Sequence, residues 1–289
     1  MANPIEKLIQ KYNPQTTHEY ENALQEVIQE IVLVGLAKKQ FFNKAAFYGG
    51  TALRIFYGLS RYSEDLDFTL FKPDPNFKLK PYFSSIKEAL SSFDFEIEVT
   101  EVEKNKDRKV ESAFLKANTQ MHLMKIVAAQ ELAQRIQKNQ LLQIKFEVDV
   151  VSPGGYETEV KPLFPPLSGA VTVLKPSSLF AGKMHAILFR RWKQRIKGRD
   201  FYDLLWYIGQ KIPLKLSYLE QKMKDGGTLA MEEKLTDAML RDLLLKRLSG
   251  IDWENAKLDV VAFLQDRHEV DGWNLDFFKS AIPYLKTED

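Results

Sequence analysis

The chain has 289 residues, of which 45% are hydrophobic, and a formal net charge of +2, so it can bury a core as one large domain or two modest ones. The absence of cysteine excludes disulfide bonds and thiolate metal sites. The N terminus shows no basic segment followed by an apolar run, and no apolar run approaches membrane-spanning length. We therefore expect a cytoplasmic protein with no signal peptide and no membrane partner.

The hydrophobic pattern predicts an α+β fold, in which a mixed N-terminal part is followed by helices only. We expect two domains, at 1–175 and 176–289. The first part should contain an amphipathic helix at 17–39, strands at 45–48, 66–71, 95–102, 109–118, 142–151, 156–160 and 170–174, helices at 51–57, 77–90 and 126–139, and a polar turn at 104–108. The second part should contain helices at 178–192, 200–209, 214–224, 229–248, 252–266 and 273–285.

One stretch of the sequence combines a glycine turn with two carboxylates. Gly49, Gly50 and Thr51 follow a short strand and open a helix, where backbone N–H groups can meet a phosphate. Asp65 and Asp67 are two residues apart at the start of the next strand, so their side chains point to one face. Two such carboxylates repel each other unless a cation lies between them, and hard oxygen ligands suit Mg²⁺. The stretch therefore predicts a metal-dependent nucleotidyl transferase, although two ordinary acids on an exposed strand are the simpler alternative.

The same stretch resembles the AbiEii/AbiGii toxin family. Residues 49–54 read GGTALR and residues 61–68 read RYSEDLDF, while a second block has KMHA at 183–186 and RDFYDL at 199–204. The resemblance covers most of residues 40–210. It implies a polymerase β-like nucleotidyl transferase core, with a small mixed sheet and helices, followed by a helical C-terminal region.

The resemblance also implies a function and partners. Toxins of this family form half of a toxin–antitoxin or abortive-infection pair, and those with an assigned target add nucleotides to tRNA. We therefore expect a nucleoside triphosphate substrate, one or two Mg²⁺ ions, a tRNA acceptor and a separate antitoxin protein. The glycine turn at 49–51 would cradle the phosphates.

A third metal-binding carboxylate is implied on a neighbouring strand, as polymerase β-like sites generally have one. Glu147 and Asp149 both lie on one face of the strand at 142–151 and are both candidates, with Glu147 the first choice. The alternative is an edge strand whose outer face is simply charged. The expected metal ligands are thus Asp65, Asp67 and Glu147.

The second block supplies two further candidates from the helical region. By resemblance, Lys183 contacts the triphosphate, a role that suits a compact ammonium group, whereas the alternative is a solvated lysine. Asp200 opens a helix and is either an N-cap or, as in the family, a residue that orients Lys183 or contacts substrate. Both roles could hold together. Asp203, one turn further on, is expected to be structural.

Four side chains near the first block have open roles. Arg54 and Arg61 flank the motif and are candidate substrate contacts, but Arg61 could instead pair with Glu64. Thr51 and Ser63 either donate to phosphate oxygens or cap turns.

Positive charge is concentrated in one part of the chain. Residues 160–199 contain nine basic and no acidic side chains, and 190–199 alone contains six basic residues with one tryptophan. Phosphate contacts from such residues, including Arg190 and Arg199, would give salt-sensitive binding of RNA with little sequence preference. The alternative is an ordinary solvated face.

Two other functions share these features. The same catalytic parts could transfer a nucleotide to a protein hydroxyl or to a small molecule such as an aminoglycoside. A nucleotide-binding or antitoxin-binding module without turnover is the second alternative, and the intact aspartate pair argues against it.

Overall fold

The computed structural model describes residues 4–101, 110–118, 141–151, 154–191 and 196–289. The expected helix at 126–139 and the polar turn at 104–108 lie outside these residues. The described chain divides into two compact units. The first is drawn from Met1–Phe56, Ser63–Ser152 and Glu159–Val173, and the second from Tyr57–Tyr62, Pro153–Thr158 and Leu174–Asp289.

The first unit consists of a mixed sheet with helices. Its elements in chain order are α1 (Pro4–Gln10), α2 (Thr17–Lys38), β1 (Ala45–Tyr48), α3 (Gly49–Tyr57), β2 (Leu66–Leu70), α4 (Phe83–Ser91), β3 (Ile97–Glu101), β4 (Val110–Asn118), β5 (Leu141–Asp149), β6 (Thr158–Leu163) and β7 (Gly169–Leu174), with 3-10 turns at Phe41–Asn43 and Lys80–Tyr82.

The sheet has seven described strands in the order β3-β4-β5-β2-β1-β7-β6. β1 pairs antiparallel with β2 and parallel with β7, β2 pairs parallel with β5, and β3, β4 and β5 form an antiparallel meander. This mixture of parallel and antiparallel pairs confirms the predicted α+β class.

An aromatic cluster fixes β2 at the centre of the sheet. The ring of Phe68 lies 5.0 Å from Phe41, 5.0 Å from Phe47 and 4.9 Å from Phe146, measured between ring centroids. All four side chains are buried. Because side chains alternate along a strand, the burial of Phe68 turns the preceding residue, Asp67, towards the opposite face of the sheet.

Helix α2 begins at a capping box, in which Thr16 and Glu19 satisfy each other's backbone N–H groups. The sequence predicted an amphipathic helix here, but residues 26–36 are all buried, including polar ones. Gly35 contributes to this burial, because a Cβ there would lie 2.9 Å from the Cα of Ile86 in α4. The helix is therefore a central element of the unit, and its polar residues need partners inside the protein.

The second unit is mainly helical, as predicted. Its elements are α5 (Pro176–Phe189), α6 (Gly198–Gly209), β8 (Leu214–Lys215), α7 (Leu216–Asp225), α8 (Asp237–Leu248), α9 (Trp253–Val261), α10 (Leu275–Ala281) and β9 (Thr287–Glu288), with 3-10 turns at Arg267–Val270 and Ile282–Tyr284. The short strands β8 and β9 pair in parallel and were not predicted.

One predicted helix of this unit is shorter than expected. The sequence pattern predicted a helix at 229–248, but α8 begins at Asp237. The Thr236 side chain accepts a hydrogen bond from the backbone N–H of Met239 at 3.2 Å, which caps the helix there. Within the described ranges, no helix is long and apolar enough to cross a membrane.

Candidate active site

The glycine turn lies directly against the second aspartate. β1 ends at Tyr48 and α3 begins at the next residue, Gly49, whose φ of +84° is in the region that favours glycine. A Cβ on Gly49 would lie 2.6 Å from Oδ2 of Asp67. The missing side chain therefore allows the backbone at the start of α3 to approach this carboxylate. Gly50 is the second residue of the helix.

The register of β2 and β5 determines which acidic residues are neighbours. Asp67 is the pairing partner of Glu147, whereas Asp149 is level with Thr69. Paired residues of adjacent strands project from the same face, with the strands about 4.8 Å apart. Glu147 is therefore next to Asp67, and its Oε1 also lies 2.8 Å from Nζ of Lys145.

The other two acidic candidates lie at strand ends. Asp65 comes immediately before Leu66, the first residue of β2. Asp149 is the last residue of β5, and its Oδ1 accepts a hydrogen bond from the backbone N–H of Val151 at 3.0 Å. This bond gives Asp149 a role in the turn that ends the strand.

Oxygen donors of this kind suit a hard divalent cation such as Mg²⁺. Asp65, Asp67 and Glu147 all offer carboxylates, and the backbone of Gly49 leaves no room for a side chain beside Asp67. Among the residues that the structure describes, no three acidic or histidine side chains converge into a metal-binding group. The carboxylate chemistry suits Mg²⁺, whereas the set of three carboxylates around one ion stays a prediction.

The segment Ser63–Asp65 is held by side chains from two helices. The buried hydroxyl of Thr51 donates to the Asp65 carbonyl and lies 2.9 Å from Oγ of Ser63. The amide of Gln29 donates to the carbonyls of Ser63 and Glu64. Thr51 and Ser63 therefore have partners within the protein, which matches the turn-stabilising alternative. Gln29 was not predicted to lie here, since its place in the hydrophobic pattern resembled the solvent face of an amphipathic helix.

Arg54, a predicted substrate contact, forms an ion pair within the same unit. Its Nε lies 2.9 Å from Oε2 of Glu26, and its side chain is 13% exposed. Glu26 is one of the buried polar residues of α2, so this contact links the third helix to the second.

The second unit contains a buried cluster of charges around Asp203. Two nitrogens of the Arg61 guanidinium donate to the Asp203 carboxylate, Nε to Oδ1 at 2.6 Å and Nη2 to Oδ2 at 2.7 Å. Nη1 of Arg61 donates to the carbonyl of Tyr62 at 2.8 Å. Arg61 is 2% exposed and Asp203 is fully buried. Arg61 is thus paired with Asp203, whereas the alternative drawn from the sequence was a pair with Glu64.

Lys183 joins this cluster through α5. Its Nζ lies 2.8 Å from Oδ1 of Asp200 and 2.8 Å from Oδ2 of Asp203. Burial alone would lower the pKa of Lys183, but the two carboxylates outweigh it and raise the pKa. Burial would also lower the pKa of Arg61, and Asp203 again reverses the direction. The pKa of Asp203 is lowered, because the two cations outweigh the effect of its own burial.

Asp200 is not the N-cap that one alternative proposed. Helix α6 begins at Gly198 and its N-cap is Lys197, so Asp200 lies inside the first turn. The helix can start there because a Cβ on Gly198 would lie 1.8 Å from the carbonyl oxygen of Ala256, a contact that only glycine avoids. Asp200 is near the positive end of the helix dipole and holds Lys183 directly.

The two arginines predicted to contact RNA each have a partner in this unit. Nη1 of Arg190 lies 2.5 Å from Oδ2 of Asp200. The guanidinium of Arg199 lies over the ring of Phe263, 3.9 Å from its centroid. Arg191 is exposed, and residues 192–195 of the basic run lie outside the described part of the chain.

The fold and the residues at its centre define a class of protein. A mixed sheet in which a glycine turn meets an Asp-x-Asp strand is the arrangement that the sequence resemblance implies for a nucleotidyltransferase core. A candidate nucleotidyltransferase from H. pylori has the same fold, with a TM-score of 0.51 and 18% identity over 89% of each chain. MenT4, a nucleotidyltransferase toxin from Mycobacterium tuberculosis H37Rv, aligns over 98% of this chain and 99% of its own, with a TM-score of 0.47 and 14% identity.

The profile of the AbiEii nucleotidyl transferase toxins of type IV toxin–antitoxin systems matches residues 31–280. The chain belongs to this family, which confirms the resemblance found in its motifs. It is therefore a nucleotidyltransferase toxin, and its family implies a nucleoside triphosphate substrate and a cognate antitoxin. No curated protein sequence shows a significant match.

Proposed function

We propose that the protein transfers a nucleotide from a nucleoside triphosphate to a hydroxyl of tRNA, with Mg²⁺ as cofactor, as part of an abortive-infection response. The observation that carries this proposal is the position of Asp67, which lies against the Gly49 turn on one side and next to Glu147 on the other. A phosphate-binding turn and paired carboxylates are the parts that phosphoryl transfer needs.

The candidate site residues of the first unit divide into metal ligands and phosphate contacts. Asp65, Asp67 and Glu147 would hold one or two Mg²⁺ ions, which when bound offset the negative charge of the triphosphate. The backbone N–H groups of Gly49, Gly50 and Thr51 at the start of α3 would receive phosphate oxygens.

The chemical step is an exchange of bonds at the α-phosphorus. The acceptor oxygen forms a bond to this atom, and the bond from it to the oxygen that bridges the α- and β-phosphates breaks. Pyrophosphate leaves with the electron pair of the broken bond. One of the carboxylates accepts the proton of the attacking hydroxyl.

Lys183 is the proposed triphosphate contact in the second unit. Its ammonium has three donors, and the two carboxylate contacts described above use two of them. The Lys183 side chain is 15% exposed, compared with 3% for Arg61 and 0% for Asp203. Of these three side chains Lys183 is therefore the most exposed, and Asp200 would orient it.

The basic composition of residues 160–199 supports a polyanionic acceptor such as RNA. Within the run, Arg191 is exposed and is the strongest candidate contact that the structure describes. Arg190 and Arg199 would contribute to RNA binding only with the parts of their side chains that remain accessible beside Asp200 and Phe263.

A label-transfer assay tests the proposal. Purified protein is incubated with Mg²⁺, each α-³²P-labelled nucleoside triphosphate and total bacterial RNA. Asp67→Ala is the inactive variant, and Asp276→Ala, at a side chain that is 95% exposed, is the matched control. We expect a labelled band of tRNA size with the wild type and the control, but none with Asp67→Ala.

The other outcomes decide between the alternatives. Label on a protein or on a small molecule would retain the enzyme and discard the tRNA acceptor. A lack of label on any acceptor, with triphosphate still bound, would contradict the proposal and favour a binding module. Equal labelling by the wild type and Asp67→Ala would refute the assignment of the carboxylates.

A further inference from the structure

Gln29 lies on α2, well before the aspartate motif in the chain, yet its side chain contacts the residues that lead into that motif. Its Nε2 donates to the carbonyl of Ser63 at 3.0 Å and to the carbonyl of Glu64 at 2.9 Å. Gln29 is 1% exposed. The amide that makes both hydrogen bonds is therefore buried, whereas the accepting residues are half-buried at Ser63 and exposed at Glu64.

The residues held in this way form no helix or strand of their own. The segment Ser63–Asp65 precedes β2, which begins at Leu66. Side-chain donors hold the backbone carbonyls of this segment, in place of the hydrogen bonds of a helix or strand. Gln29 donates to the carbonyls of Ser63 and Glu64, and Thr51 donates to that of Asp65. The Glu64 carbonyl also accepts from Nε2 of Gln25 in the same helix, at 3.2 Å. Three successive carbonyls, those of Ser63, Glu64 and Asp65, are thus held from two different helices.

The remaining polar atom of Gln29 indicates why glutamine is present. Its Oε1 has no hydrogen-bond partner among the described residues. A buried acceptor without a partner is destabilising, and an apolar side chain of similar length would avoid that effect. A glutamate of the same shape would, when ionised, offer oxygens to two carbonyls and donate nothing. Glutamine at this position is therefore unfavourable for the packing of the core, but its amide group is useful as a hydrogen-bond donor.

We propose that Gln29 is a positioning residue for nucleotidyl transfer. Its amide fixes the backbone of Ser63–Asp65, so that the carboxylates of Asp65 and Asp67 are held ready to share one cation. The inference rests on the proposed function, because it takes these carboxylates to be metal ligands. It adds a residue outside the span that matches the family profile, which begins at residue 31.

Binding of Mn²⁺, in the absence of nucleotide and acceptor, tests this role without measuring activity. The Mn²⁺ dissociation constant is determined by electron paramagnetic resonance for the full chain and for four variants. Gln29→Met keeps the length of the side chain without a donor, and Gln29→Glu keeps its shape. Ile28→Val is a matched packing control at the adjacent, fully buried position of α2, and Asp67→Ala removes a ligand.

We expect Gln29→Met to weaken Mn²⁺ binding about tenfold, which corresponds to about 1.4 kcal/mol. Gln29→Glu should weaken it at least as much. Ile28→Val should lower the melting temperature and leave the Mn²⁺ affinity unchanged, because it removes only packing. Amide hydrogen exchange at residues 63–67 should be faster in Gln29→Met than in Ile28→Val.

Three results would overturn the inference in distinguishable ways. Wild-type Mn²⁺ affinity in Gln29→Met, with loss of binding in Asp67→Ala, would refute the role of Gln29 and retain the proposed function. Equal loss in Gln29→Met and Ile28→Val would show that affinity follows stability and not the amide donor. A wild-type chain that binds no Mn²⁺ would refute the metal site, and with it the inference.

Discussion

The substitution Asp203→Asn removes the one carboxylate that two buried cations share. Asparagine has nearly the same shape but no charge, so Arg61 and Lys183 would stay in place with less compensation. Loss of one partner from a buried ion pair destabilises a protein by about 3–5 kcal/mol, since a charge is left without its counter-ion. Asp203 is fully buried and Arg61 is 2% exposed, so we expect a loss of about 4 kcal/mol.

Thermal unfolding at neutral pH measures this loss. A change of 1 kcal/mol shifts the melting temperature of a domain of this size class by about 2–4 °C, so Asp203→Asn should melt roughly 8–16 °C lower. Asp237→Asn is the matched control, because Asp237 also forms an ion pair with an arginine but is 44% exposed. Exposed pairs contribute about 0–1 kcal/mol, so this control should shift the melting temperature only slightly.

A double substitution separates charge from shape. Arg61→Met combined with Asp203→Leu removes both members of the bidentate pair, leaves Lys183 with Asp200, and introduces apolar side chains. Replacement of a whole buried ion pair by apolar residues is often neutral, so this variant should be more stable than Asp203→Asn. Two results would contradict this expectation. Asp203→Asn would have the same melting temperature as the Asp237→Asn control, or the double variant would be less stable than Asp203→Asn.

The same cluster predicts a pH dependence with a definite sign. The pKa of Asp203 is lowered in the folded chain, so its contribution is complete above the unfolded value of about 3.9 and is lost as pH falls through the lower folded pKa. The pKa of Lys183 is raised, so its contribution is complete below about 10.4 and is lost as pH rises through the higher folded pKa. The contribution of the cluster to stability should therefore be constant between about pH 5 and 10.

Substitutions at four further positions test the first unit. Gly49→Ala should lower the label-transfer rate at least tenfold and destabilise the chain by about 1–3 kcal/mol. The reason is that the added Cβ would lie 2.6 Å from Oδ2 of Asp67, at a residue with positive φ. A normal rate would contradict the close approach of Gly49 to Asp67. Glu147→Gln should lower the rate about 100-fold. Asp149→Asn should have little effect on the rate. A larger loss of rate in Asp149→Asn than in Glu147→Gln would assign the third carboxylate to Asp149. Thr51→Val should lower the free energy of unfolding by about 1 kcal/mol per hydrogen bond lost, as measured by thermal unfolding. Thr51→Ser keeps the hydroxyl and should retain most of this stability.

Local sequence was sufficient to predict the close approach of the glycine turn and the aspartate strand. Gly49 and Asp67 were recognised from the turn and from alternation along a strand, and β1 has the predicted bounds. The choice between Glu147 and Asp149 was left open, because both lie on one face of β5. Strand register decides which of them is next to Asp67, and register depends on the pairing of residues that are distant in the chain.

The charged cluster could not be predicted for the same reason. The sequence offered Glu64 as a nearby partner for Arg61, but the observed partner lies 142 residues away. Helix α6 starts at Gly198 because of its close contact with Ala256, and no capping signal in the sequence indicates that start. The resemblance to a known family supplied Lys183 and Asp200, and Asp203 was expected to be structural, but nothing in the sequence indicated that Asp203 pairs with both Arg61 and Lys183.

The long separation between Arg61 and Asp203 affects the order of events during synthesis. Translation adds about 5–20 residues per second, so roughly 7–28 s pass between the two residues at the ribosome. During that interval the Arg61 guanidinium lacks the carboxylate that accompanies it into the interior, and it stays in water. We expect ribosome-arrested chains that end before residue 203 to be cleaved by trypsin after Arg61, whereas the finished chain resists cleavage there. A toxin built in this way completes the surroundings of Lys183 only late in its own translation.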